Sequence, residues 1–93
     1  MTFEEAIAAL GTTPEQVTDK LREMGIKGYR RMAGSCPIAK YLNACGFPMV
    51  TVCNSARRYD HFWSASETIL LPAAIKNWIL DFDNDHYPEF ELT

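Results

Sequence analysis

The chain has 93 residues, 47% of them apolar and 23% charged, with a formal net charge of -3; these proportions exclude disorder, collagen-like repetition and low complexity, and the length holds a single core. No stretch reaches the roughly 18 apolar residues of a membrane span, and the opening Met1-Thr2-Phe3-Glu4-Glu5 carries acids where a secretory leader carries bases. The expectation is one cytoplasmic domain over 1–93 with no membrane insertion.

Phe3, Ile7 and Leu10 recur at helical spacing ahead of Gly11, which predicts a short amphipathic helix. Thr13 precedes Pro14 and stands three residues before Gln16. That is a helix start: the hydroxyl accepts a backbone N–H and proline suits the first turn. Val17, Leu21 and Met24 line this second helix and Gly25 ends it, so residues 1–25 read as a helical hairpin. Lys27 to Met32 is short and basic, an edge strand or a loop.

Ser35 or Cys36 caps the next helix, Pro37 fits its first turn, and Ile38, Tyr41, Leu42 and Cys45 form its inner stripe before Gly46. Met49 to Cys53 is β-branched and too short for a helix, so it reads as a central strand, and Glu67 to Leu71 as a second. Asn54 to Ser66 is too long for a tight hairpin turn, although parts of it can extend the two strands. Pro72 opens a last helix with Ile75, Trp78, Ile79 and Phe82 inward, followed by an acidic tail. The fold class is α+β: a small antiparallel sheet of two to three strands packed with about four helices, including the N-terminal hairpin.

Charge is segregated along the chain. Residues 1–19 carry four acids and no base, residues 20–58 carry eight bases against Glu23, and residues 59–93 carry seven acids against Lys76. The basic middle can bind an anionic partner, or the blocks can pair with each other on folding.

Four constellations bear on chemistry. Leu10, Gly11, Val17 and Leu21 fall at helix-turn-helix spacing, but Ile7 is bulky at the crossing, Lys20 replaces an apolar residue, and Glu15 and Asp19 would oppose phosphates. Cys36 at a helix start after Arg30 and Arg31 could favour thiolate, with His61 as base. No glycine-rich oxyanion loop accompanies it, so a structural cysteine is expected. Cys36, Cys45, Cys53 and His61 lie at intervals that match no zinc site, and the odd thiol set without C-x-x-C suits free cysteines. Asp81 to Asp85 begins like a calcium loop, but His86 replaces its glycine and Leu92 its bidentate glutamate. No cofactor, metal or enzymatic activity is therefore expected.

The remaining candidate is Arg57-Arg58-Tyr59-Asp60-His61-Phe62-Trp63, whose arginines and aromatics are the residue types that dominate binding hot spots. A partner-binding site is expected at Arg57, Arg58, Tyr59, His61, Phe62 and Trp63, with Arg30 and Arg31 nearby.

Leu21 to Gly28, Cys36-Pro37-Ile38-Ala39-Lys40-Tyr41-Leu42, Leu71-Pro72-Ala73-Ala74-Ile75, and Phe82-Asp83 through Tyr87-Pro88-Glu89 run through most of the chain. In these motifs it resembles a group of small uncharacterised actinobacterial and actinobacteriophage proteins, departing from them in the longer aromatic connection Arg57 to Ser66. The resemblance implies no catalytic residues. It implies a phage or prophage accessory protein that binds and modulates a host protein; the alternative is a nucleic-acid-binding regulator using the helical hairpin and the basic middle.

Overall fold

A computed structural model describes residues 1–60 and 64–92. Helix α1 spans Phe3–Ala8 and opens on a reciprocal cap. The Thr2 hydroxyl accepts the Glu5 N–H at 3.1 Å while the Glu5 carboxylate accepts the Thr2 N–H at 2.7 Å. Helix α2 spans Pro14–Met24; Thr13 accepts from the Gln16 N–H at 3.2 Å, and Gly25 closes the helix at φ 67°, where a side chain would be strained. Helix α3 spans Pro37–Ala44, and of the two candidate caps it is the Cys36 thiol that accepts the Ala39 N–H, at 3.5 Å.

Strands β1 (Val50–Val52), β2 (Ser55–Tyr59) and β3 (Ala65–Leu70) form one antiparallel sheet in that order. Helix α4 then spans Ala73–Asp83, and a 3-10 turn covers Pro88–Phe90. The α+β class and the four helices follow the sequence expectation, but the third strand is a different one. It is β2, which lies in the stretch read as a connection. Only Ala56 of β2 is buried, so no apolar run marks it. Its strand character comes from its neighbours, through Val50–Arg58 and Val52–Ala56 on one side and Ala56–Ile69 and Arg58–Glu67 on the other.

The basic segment Lys27 to Met32 reduces to a single parallel bridge between Gly28 and Glu91. Gly28 donates to the Phe90 carbonyl at 2.9 Å, and its own carbonyl accepts the Leu92 N–H at 2.8 Å. Glycine is required here by crowding. A Cβ would stand 2.5 Å from the backbone of Cys36 and of Pro37.

The helices contribute to one hydrophobic cluster that includes Phe3, Leu21, Leu42 and Trp78. Each large apolar side chain removed from water stabilises the fold by roughly 1.5–3 kcal/mol. Trp78 is fully buried, with Tyr87 stacked at 4.9 Å, Phe82 at 5.5 Å and Phe90 edge-on at 5.6 Å. Its indole N–H donates to the Thr18 hydroxyl at 2.9 Å. Among the described residues no helix is long and apolar enough to cross a membrane.

Candidate functional site

The sheet has two unlike faces. Val50, Val52 and Ala56 point into the core, and α3 packs against β1. Alternation sends Thr51, Arg57, Tyr59, Thr68 and Leu70 to the other side. There Arg57 and Thr68 are exposed, and Leu70 is 82% exposed although it is a leucine. The Tyr59 and Thr51 hydroxyls lie 3.1 Å apart.

Arg58 falls on the opposite face from Arg57. Its guanidinium lies 5.3 Å from the Phe47 ring and 3.5 Å from the Glu67 carboxylate. The Arg57 side chain makes no hydrogen bond, ion pair or ring contact among the described residues. His61, Phe62 and Trp63, the remaining residues of the expected site, lie outside the described residues.

Arg30 and Arg31 are occupied elsewhere. The Arg30 side chain is 5% exposed, with Glu91 at 2.9 Å, Asp85 at 3.8 Å and the Phe82 ring at 4.4 Å. It donates to the carbonyls of Phe82 and His86. Arg31 adopts φ 56°; its backbone N–H donates to the Asp83 carboxylate at 2.8 Å and its guanidinium to the Asp83 carbonyl at 2.5 Å. Together the pair donates to carbonyls at and just beyond the C-terminal end of α4, where a helix dipole favours cations. The sequence places these arginines near the Arg57 run, whereas their side chains are engaged at α4.

The charge blocks pair internally in part: of the eight bases in the basic middle, Arg22, Arg30 and Arg58 form ion pairs among the described residues. Arg22 meets Glu89 at 2.6 Å and Asp19 at 3.3 Å, Arg30 meets Glu91, and Arg58 meets Glu67. The hydrogen bond from Arg22 holds the Glu89 carboxyl below its usual range. On α2, Glu15, Asp19 and Glu23 are all exposed, so the helix of the hairpin that would face a duplex presents acids.

Cys36 is 3% exposed, and burial pushes its thiol above the ordinary range despite the backbone N–H groups around it. That environment holds the protonated form and suits a helix cap. Cys45 and Cys53 are likewise free thiols. Among the described residues no group of three or more histidine, cysteine or acidic side chains could hold a metal ion.

The sheet's outer edges differ as well. On β1, the Val52 N–H donates to the Ala33 carbonyl at 2.8 Å, which closes that side. On β3, the Leu71 N–H donates to the Asn54 carbonyl at 3.3 Å, and the pairs Ser55–Leu70, Ala56–Ile69 and Arg57–Thr68 follow. Antiparallel alternation therefore turns the peptide groups of Ile69 toward β2 and those of Thr68 and Leu70 away from it. Neither finds another backbone partner among the described residues. Thr68 and Leu70 are absent from the expected site, and the signal for them was the alternation Ser66, Thr68, Leu70 against Glu67, Ile69.

No protein-family model matches the chain, and no curated protein or solved structure matches it.

Proposed function

We propose that this chain is a non-enzymatic protein-binding module that docks a partner on the solvent face of its sheet, around Arg57, Tyr59 and Leu70. The observation that carries the reading is the contrast at Arg57. Arg22, Arg30, Arg31 and Arg58 are all held by acids or carbonyls of the same chain, while the Arg57 side chain has no partner among the described residues and lies on an exposed face beside an exposed leucine. An arginine with aromatic and aliphatic neighbours is the make-up of a binding hot spot. The resemblance to phage proteins supports a host protein as the partner.

The nucleic-acid alternative has less to stand on, because Arg22, Arg30 and Arg58 of the basic middle are already paired with acids of the same chain, and paired cations release few counterions from a phosphate backbone.

The test is capture from actinobacterial lysate on immobilised protein, comparing wild type with Arg57→Glu and Leu70→Asp and with Lys76→Glu on the exposed side of α4. All variants are first checked for folding by circular dichroism. A band recovered by wild type and Lys76→Glu but lost in the two sheet variants is expected. Equal recovery by Arg57→Glu, or no specific band, rejects the reading.

A further inference from the structure

We infer that the free edge of β3 accepts an extended segment of the partner as a fourth strand, and that this segment carries an acidic residue two places from an aliphatic one. The inference rests on the protein-binding reading and adds its geometry. Thr68 and Leu70 each direct an N–H and a C=O outward from the sheet with no partner among the described residues. Such a row of peptide groups is a template for another strand. Natural edges are commonly blunted by proline or by charges, lysine above all; β3 has no lysine or proline, and its one charge, Glu67, is paired with Arg58 on the opposite face from Thr68 and Leu70.

Charge complementarity fixes the chemistry of the occupant. In an added strand, the side chain opposite Thr68 shares the solvent face with Arg57, about 10 Å from β2 because two strand spacings intervene. Thr68 is small, so the Arg57 side chain can extend over it toward a carboxylate. Among Thr51, Arg57, Tyr59, Thr68 and Leu70 on that face, Arg57 is the sole charged residue, and Glu67 lies on the other face against Arg58. The side chain opposite Leu70, two residues along, meets a leucine that is 82% exposed and gains by being aliphatic. A second copy of the chain is a poorer occupant, since its own solvent face would bring another Arg57 and no acid.

The experiment selects binders to the purified protein from a displayed random peptide library and measures them by fluorescence anisotropy. Enriched peptides are expected to carry Asp or Glu two residues from Leu, Ile or Val. Arg57→Glu should weaken them about tenfold by setting like charges together, and Thr68→Pro, which removes an outward N–H, should abolish binding that Thr68→Val retains. As a readout free of any folding effect, N-methylation of alternate peptide bonds in a selected peptide should abolish binding in one register and spare it in the other.

Absence of enrichment, insensitivity to N-methyl register, or a preference for a single-stranded DNA probe overturns strand addition. So does a free protein that sediments as a dimer dissociated by Thr68→Pro, which would place a second copy on the edge. Lysate capture that depends on Arg57 while N-methyl register has no effect would leave protein binding in place and remove only the strand.

Discussion

The chain contains the dipeptide Arg-Arg twice, at 30–31 and at 57–58, and the two have opposite fates. In the first, the left-handed backbone at Arg31 lets both side chains reach the end of α4. In the second, strand geometry sends the side chains to opposite faces, so that Arg58 finds Phe47 and Glu67 while Arg57 finds solvent. Composition therefore says little about what an arginine does. Backbone path decides whether it closes the fold or remains available to a partner.

The contrast can be broken most severely from the side of the first pair. Gly28→Ala would drive a Cβ into the backbone at the start of α3, and a loss of about 3 kcal/mol in urea unfolding is expected, a large share of the stability of a small domain. A variant that keeps wild-type stability would mean that the backbone of Gly28 does not lie so close to Cys36 and Pro37.

Arg30→Ala follows, with an expected loss of about 2 kcal/mol because the Phe82 and His86 carbonyls and the Glu91 carboxylate lose a nearly buried partner. Arg30→Lys should recover part of this, since an ammonium cannot reproduce the guanidinium fork.

The second pair should be far less sensitive. Arg58→Ala is expected to cost about 0.5–1 kcal/mol through the Phe47 contact and a half-exposed ion pair. Arg57→Ala should stay within about 0.5 kcal/mol of wild type, as substitutions that touch nothing usually do. Thermal melts of the two single variants, recorded side by side, separate them; a large loss at Arg57 would reveal a structural role and undercut its assignment to binding.

The smallest effect concerns acid. The Glu89 carboxyl is held below its usual range by Arg22, so this pair stabilises the fold at pH values above the unfolded carboxyl's titration and ceases to do so as pH falls through the lowered folded value. Wild type and Arg22→Gln should differ slightly at neutral pH and converge in acid. A gap that persists at low pH would point instead to packing of Arg22 near the Phe90 ring.

What could be read from the sequence was whatever is decided locally. Thr13-Pro14, Gly25, Cys36-Pro37 and Pro72 mark helix boundaries through capping and proline chemistry, and those boundaries stand within a residue or two. Strand β2 was not legible because Ser-Ala-Arg-Arg-Tyr has one inward apolar residue and depends on pairing with both neighbours. The role of Arg30 was hidden for a different reason: its carbonyl partners lie 52 and 56 residues away, on an element that sequence order does not bring near it. Part of the candidate site was legible as composition, since Arg57 and Tyr59 were named. The open edge at Thr68 and Leu70 was not, because an unpaired edge is a property of the sheet and of no single strand.

The closing of Gly28 against Phe90 and Leu92, and of Trp78 against Tyr87 and Phe90, also sets a timetable for synthesis. Helix α2 and the segment after it cannot complete their packing until residues 87–92 have left the ribosome. Helix α2 emerges early but waits for contacts with α4 and Glu89, made across most of the chain, so folding finishes after elongation has passed the aromatic turn. During that interval the Trp78 ring lacks the cover of Tyr87 and Phe90, which makes rapid capture of residues 87–92 by the core a protection against aggregation as well as a source of stability.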